Sequence, residues 1–221
     1  MDLEDEIVFK GEIKSDALIT GAELSQKIKL HKGDLINPYT DWLEVEFNGE
    51  NLMIAKNPIK SNISWEDLYL KGVVYGTDDF GINPCKFSVK QDVKVECSGK
   101  WYRVTLFKGA NGDYTEDYVT SDSPNTSHSE WNKIIYRLHR KDSLLPRTTQ
   151  PTGELANYTD EELMLHWRYG PGSLTWCQES TQYPTVRVHR GLHGFTYFDA
   201  SELDKKDPDY GWRPVLRLIG G

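Results

Sequence analysis

The chain has 221 residues, a formal net charge of −8 and 38% hydrophobic residues. A chain of that length suits one large domain, or one domain with an extension, and buries about 70–75% of its unfolded surface, so it needs neither metal nor disulfide to fold. The acidic balance argues against wrapping a nucleic-acid backbone, which calls for a clustered basic face, and no run of about 18 apolar residues is present to span a bilayer.

With 7 Trp and 12 Tyr, large rings are expected to supply much of the core. Cys85, Cys97 and Cys177 are an odd, widely spaced set and read as reduced thiols of a chain made in a reducing cytosol. The start, Met1 to Glu6, is acidic and lacks the apolar stretch of a signal peptide.

Residues 1–19 carry little pattern, and residues 1–30 are expected to form an arm with one short helix, followed by a single domain over 31–221. Thr20 and Glu23 are spaced as a capping box, in which each side chain satisfies the other's free backbone amide, and Leu24 and Ile28 stand four apart behind it. Leu43, Val45 and Phe47 alternate with polar residues, Asn48-Gly49 suits a tight type I′ turn, and Leu52-Met53-Ile54 returns as the second arm of a hairpin. Three further capping boxes are Ser64 with Asp67, Ser127 with Glu130, and Thr159 with Glu162. The box at Ser127 opens the strongest helix, because Trp131, Ile134, Ile135 and Leu138 form one buriable stripe. A second hairpin runs from Val93–Cys97 through Ser98-Gly99 to Trp101–Phe107. Lys141–Tyr158 reads as a long surface loop. Short β-type runs follow at Ser173–Gln178, Val186–Val188 and Phe195–Phe198.

The last stretch, Gly211-Trp212-Arg213-Pro214-Val215-Leu216-Arg217-Leu218-Ile219, is a strand that a frayed tail would have no use for. Pro214 has no N–H for a ladder and belongs at the strand's start or at an edge. Gly211 is read as a turn that delivers Trp212 to the core. The strand is expected to close the sheet of an α+β domain, with Trp42–Phe47 as its partner.

The chemistry-bearing residues form no catalytic constellation. His189 and His193 have a metal-ligand spacing only on a helix, which Gly191 and Gly194 oppose. The cysteines have no Cys-x-x-Cys partner. The acidic stretch Asp113–Asp122 does not fit the spaced calcium loop. Gly109-Ala110-Asn111-Gly112 lacks the Lys-Ser/Thr of a phosphate cradle. Glu179 and Asp199 are a possible carboxylate pair, with solvated surface as the default. No metal or other cofactor is expected. The segment Leu192–Tyr210 mixes aromatics with small polar residues, the composition of a recognition loop. Tyr183, His193, Tyr197, Phe198 and Asp199 are the candidate ligand-binding residues, and core packing is the competing explanation for each ring.

An ordered series of phrases carries a resemblance. It runs Leu52-Met53-Ile54-Ala55-Lys56-Asn57-Pro58-Ile59 with Ser64-Trp65, then Trp101 to Gly109, then Ser129-Glu130-Trp131-Asn132. It continues with Trp176-Cys177-Gln178-Glu179, Arg187-Val188-His189-Arg190-Gly191 and Gly211-Trp212-Arg213-Pro214-Val215-Leu216. In this order it resembles virion proteins of tailed bacteriophages, tail-associated or displayed on the particle as decoration proteins. The end of the chain is also similar to the C-type-lectin-like fold shared by phage tropism determinants and formylglycine-generating enzymes. The resemblance implies paired N- and C-terminal strands, two main helices on a mixed or antiparallel sheet, and a loop-rich subdomain. It implies a structural protein of the virion, made in the host bacterial cytoplasm and built as a homo-oligomer. The partners it implies are other virion proteins, a host cell-surface receptor or a glycan, with no nucleic acid and no membrane insertion. The last third holds one cysteine where formylglycine-generating enzymes use a pair, and neither Glu-Pro-Asn nor Gln-Pro-Asp occurs. The fold is thus expected without enzyme or sugar site, the alternative being a degenerate enzyme of that type.

Overall fold

The computed structural model describes residues 6–82, 85–110, 129–139, 153–165, 170–191 and 197–220. The first half runs β1 (Ile7–Ile13), α1 (Ser15–Leu18), α2 (Gly21–Lys27), β2 (Asp34–Leu35), β3 (Trp42–Phe47), β4 (Glu50–Ala55), β5 (Lys60–Ser61), α3 (Trp65–Lys71), β6 (Lys94–Cys97) and β7 (Lys100–Thr105). The second runs α4 (Glu130–Leu138), β8 (Leu174–Ser180), β9 (Val186–Arg190), β10 (Phe198–Glu202), β11 (Tyr210–Trp212) and β12 (Val215–Leu218). The architecture is α+β, with short helices and two six-stranded sheets. The first sheet has the order β1-β3-β4-β12-β7-β6 and is antiparallel throughout; the second has the order β10-β9-β8-β11-β5-β2, with β8 and β11 parallel. Among the described residues no helix is long and apolar enough to cross a membrane.

Local chemistry sets the elements. Asn48 and Gly49 both take positive φ (49° and 79°), which matches the right-handed twist of β3 and β4 and closes the hairpin. Ser98 and Gly99 (47° and 75°) do the same for β6 and β7. The capping boxes at Thr20 and Ser64 form with both reciprocal hydrogen bonds, starting α2 and α3. Helix α4 is capped by Ser129, whose hydroxyl accepts the Asn132 amide, and not by Ser127, which lies outside the described residues. Thr159 and Glu162 also make their reciprocal bonds, but only turns follow.

Strand alternation feeds two cores, one on each face of the first sheet. Trp42, Met53, Ala55, Tyr102, Val104 and Leu216 point to one core, which Leu24, Trp65, Leu68, Trp176 and Trp212 complete. Leu43, Val45, Leu52, Ile54 and Val215 point to the other, filled by the whole α4 stripe of Trp131, Ile134, Ile135 and Leu138, with Cys177 and Val188. This is why neighbours such as Val215 and Leu216 are both apolar: the strand has no wet face. Cys85, Cys97 and Cys177 form no disulfide, and burial pushes the Cys85 and Cys97 thiols up to about 11.

The closing stretch differs from the sequence reading in its neighbours. β12 lies between β4 and β7, and Trp42–Phe47 is one strand further away, paired with β1 and β4. Alternation fixes which face a residue takes, and two strands buried on both faces give no signal about which sits beside a third. The expected arm also contains a sheet strand: Ile7–Ile13 pairs along β3, with a bulge at Phe9/Gly11 where Gly11 takes φ +133°. β1 and β12 share a sheet without touching, since β3 and β4 stand between them. Gly211 makes no turn; it lies in β11, where a Cβ would meet the Gly172 backbone at 2.7 Å.

Between β11 and β12 the chain leaves one sheet for the other at Arg213-Pro214. The Ile59 amide donates to Trp212 O at 2.8 Å and the Ala55 amide to Pro214 O at 3.1 Å, so the crossing is tied on both sides. Arg213 is fully buried; its guanidinium donates to the carbonyls of Lys56 (2.8 Å) and Leu163 and stands 6.0 Å from the Trp131 ring. Burial with no carboxylate beside it pushes this guanidinium down to about 9. Trp131→Ala therefore removes the ring that fills the second core and faces Arg213, and it should cost about 3–5 kcal/mol in chemical unfolding. An unchanged midpoint would mean that the ring carries no packing energy.

Candidate functional site

The candidate residues cluster on the ribbon of β9 and β10. In β9 alternate side chains take opposite faces. Val188 and Arg190 turn to the second core, where Arg190 donates to Gly109 O (2.8 Å) and Asn132 Oδ1 (2.7 Å) and lies 5.4 Å from the Phe198 ring. Arg187 and His189 turn the other way. The Arg187 guanidinium lies 3.9 Å above the Trp65 ring and donates to Tyr75 Oη at 3.2 Å.

His189 is the centre of a polar string. Its ring meets Trp176 and Tyr210 edge-on at 5.5 and 5.4 Å. Its Nε2 lies 3.0 Å from Ser201 Oγ, which lies 2.8 Å from Tyr210 Oη. Asp199 stands directly opposite His189 in the β9–β10 register and accepts from Tyr197 Oη at 2.9 Å. Tyr197, Asp199 and Ser201 thus present one half-exposed edge, with His189 and Tyr210 buried behind it.

A serine within 3.0 Å of an imidazole has the reach of a nucleophile and its base. Two features oppose that use. Burial pushes His189 down to about 4, with Asp199 and Asp207 opposing only in part, and a base that weak takes little of a serine's proton near neutral pH. Among the described residues its Nδ1 also meets no hydrogen-bond partner, so none of their carboxylates orients the ring. The arrangement suits a rigid polar edge that holds Asp199 and Tyr197 in place.

The sequence candidates do not gather into one patch. Tyr197 and Asp199 come together at the start of β10. Tyr183 projects from the turn between β8 and β9, 58% exposed, at the opposite end of the ribbon. Tyr197 and Phe198 are both half-buried, packed on the first and second cores respectively, so neither belongs to a free loop. Asp199 is exposed. His193 lies outside the described residues. So does Asp113–Asp122. Much of Leu192–Tyr210 is scaffold: Phe198–Glu202 is a strand, Leu203 is buried and Tyr210 lies in β11.

Glu179 and Asp199 form no pair. Glu179 is buried on β8 and accepts the Gly109 amide at 2.9 Å, which corrects the expectation of a solvated carboxylate. The same bond commits the Gly109 amide to a carboxyl. Among the described residues no group of three His, Cys, Asp or Glu could hold a metal ion. Sequence reasoning missed Ser201, Tyr210, Arg187 and Arg190. The available signal was Val186-Arg187-Val188-His189-Arg190 itself, a strand with a charge or imidazole at nearly every polar position, set between turns.

Comparison with protein families, curated proteins and solved structures returns no match for this chain.

His189 gives a pH signature. Its folded value is depressed below the ordinary 6.5, so the stability it contributes is present above 6.5 and lost as pH falls towards about 4. His189→Gln should remove up to about 3 kcal/mol of that acid-side loss, read as unfolding free energy against pH. Identical acid slopes in both proteins would show that the ring does not titrate with folding.

Proposed function

We propose that the chain is a non-enzymatic structural protein of a tailed-bacteriophage particle, built on a C-type-lectin-like scaffold and displayed at the particle surface, where it binds a host-surface receptor or glycan, or a neighbouring virion protein. The resemblance of the ordered phrases supports this reading. One structural observation carries it: Cys177, Glu179, His189 and Arg190, all within those phrases, are consumed inside the scaffold. Cys177 is fully buried, and burial pushes its thiol well above the ordinary range. Arg190, His189 and Glu179 are bonded to backbone or to neighbouring side chains behind the surface. A degenerate formylglycine-type enzyme would need its cysteine in a cleft, so this burial favours the binding reading.

The surface supplies what a binding protein requires. Tyr183 stands out on a turn whose Thr181 hydroxyl accepts the Tyr183 amide, which fixes the ring's root. Asp199 is an exposed acceptor held by its neighbours. Phe80, Ile82, Phe87 and Tyr39 add exposed apolar area. The closing strand departs from the lectin-like expectation, since β12 pairs with β4 and β7 and not with the N-terminal strand.

The test is location, followed by attachment. Antibodies against the chain should label gradient-purified particles of the phage that encodes it, at a constant copy number per particle. Recovery only in the soluble lysate, with none on particles, would end the virion reading. Tyr183→Ala with Asp199→Ala should leave the melting temperature within about a degree or two, since exposed substitutions change stability little. The same pair should lower host attachment or partner binding several-fold.

A further inference from the structure

Polar groups that the scaffold does not use up gather around the buried ring of Trp131. The guanidinium carbons of Arg190 and Arg213 stand 5.7 and 6.0 Å from its centre. Both arginines are at 0% exposure, and so are Ser173 and Thr175. Four atoms of these residues meet no hydrogen-bond partner among the described residues: Arg190 Nε, Arg213 Nε, Ser173 Oγ and Thr175 Oγ1.

The second sheet brings these four residues together. Leu174 and Trp176 belong to the first core and Cys177 to the second, so Thr175 takes the face towards the second core. In register it lies opposite Arg190 on β9 and beside Gly211 on β11. Tyr210 and Trp212 belong to the first core, so Gly211 and Arg213 share the face of Thr175. The two arginines therefore flank β8 on either side, with the Thr175 hydroxyl on the same face. Ser173 enters at the start of β8. Its carbonyl, the Leu165 side chain and the edge of the Trp131 ring all come within 3.7 Å of where a Cβ on Gly191 would stand.

Charge decides what suits such a place. The terminal nitrogens of Arg190 donate to Gly109 O, Asn132 Oδ1 and Tyr136 Oη, and those of Arg213 to Lys56 O and Leu163 O. Every one of these acceptors is neutral. Glu130 on α4 is bonded to Arg217 and to the Lys108 amide, and Glu179 on β8 to the Gly109 amide; neither hydrogen-bonds to Arg190 or Arg213. Two cations buried without a bonded counter-charge cost several kcal/mol each. A water molecule would satisfy the open N–H and O–H groups and leave the charge as it is. An anion does both, because hydroxyls rotate to donate and a guanidinium N–H gives a charge-assisted bond. Two N–H and two O–H groups are few for a phosphate or sulfate, and they suit a single-atom acceptor. We propose that Arg190, Arg213, Ser173 and Thr175 form a buried site for one small monovalent anion of the halide class, held beside Trp131. The ion is a structural ligand inside the scaffold, apart from the surface assigned to partners, and it ties α4 and β8 to the crossing at Arg213-Pro214.

Thermal unfolding of the full chain in sodium chloride, against sodium gluconate at equal ionic strength, reads the site by mass action. The midpoint should climb with chloride concentration and stay level in gluconate. Ser173→Ala with Thr175→Val removes two donors and keeps both charges, so its climb should begin at a chloride concentration at least about tenfold higher. No chloride dependence in the unsubstituted chain, or the same dependence in both proteins, would overturn the proposal. Should the double variant fail to fold, crystals of the unsubstituted chain grown in sodium bromide decide. An anomalous bromine peak within hydrogen-bond reach of Arg190 Nε or Arg213 Nε supports the site. Water alone at that position, or bromide on the exposed surface as an adventitious ion only, would refute it.

Discussion

Three guanidinium groups kept wholly out of water set the terms for the rest of this structure. Arg187, Arg190 and Arg213 are each fully buried. A charge in that position costs several kcal/mol unless its donors are used. Among the described residues, Arg190 and Arg213 have no carboxylate among their hydrogen bonds. Carbonyls and rings serve instead: Lys56 O and Leu163 O for Arg213, Gly109 O for Arg190, and the Trp65 face for Arg187. A carbonyl can only be counted on if its peptide is held still. The arginines and the irregular connections at residues 56, 109 and 163 therefore fix one another. Arg217 is the contrasting case: it carries two carboxylates and its burial is compensated by charge.

The crossing at Arg213-Pro214 joins the two layers. β11 extends the second sheet beside β8, β12 occupies the middle of the first sheet, and the two residues between them lie where the cores approach. Pro214 tolerates the passage because it has no N–H to leave unsatisfied. β9 presents one side to each core, and its partner β10 is an end strand of the second sheet. The Asp199 carboxyl is held by the Tyr197 hydroxyl and the Ala200 amide, on a strand whose Ser201 reaches His189 and Tyr210 behind it.

Several elements were legible in the sequence because their signals are local. Asn48-Gly49 and Ser98-Gly99 name their turns, and the boxes at Thr20 and Ser64 name their helix starts. The α4 stripe named its buried face. What could not be read was non-local. The partner of β12 was misplaced because strands buried on both faces carry no information about order. β1 escaped notice because the bulge at Gly11 breaks the alternation that begins with Ile7 and Phe9. The cap of α4 was set two residues early because Ser127…Glu130 fits the box pattern, while Ser129 caps through its hydroxyl alone. Within the site, Asp199 and Tyr183 were foreseen as exposed and are exposed. Tyr197 and Phe198 were read as a free recognition loop and are half core, because strand β10 begins where the sequence-based strand was expected to end.

Arg213 fastens the crossing between the sheets through the carbonyls of Lys56 and Leu163. Urea unfolding of Arg213→Met, followed by tryptophan fluorescence and far-ultraviolet circular dichroism together, tests it most directly. Methionine keeps the bulk but leaves the carbonyls of Lys56 and Leu163 without donors. The account predicts a loss of at least about 2 kcal/mol relative to the unsubstituted chain. It also predicts that the two probes, coincident in the unsubstituted chain, move apart as the sheets lose their common fastening. An unchanged midpoint with coincident transitions would contradict it.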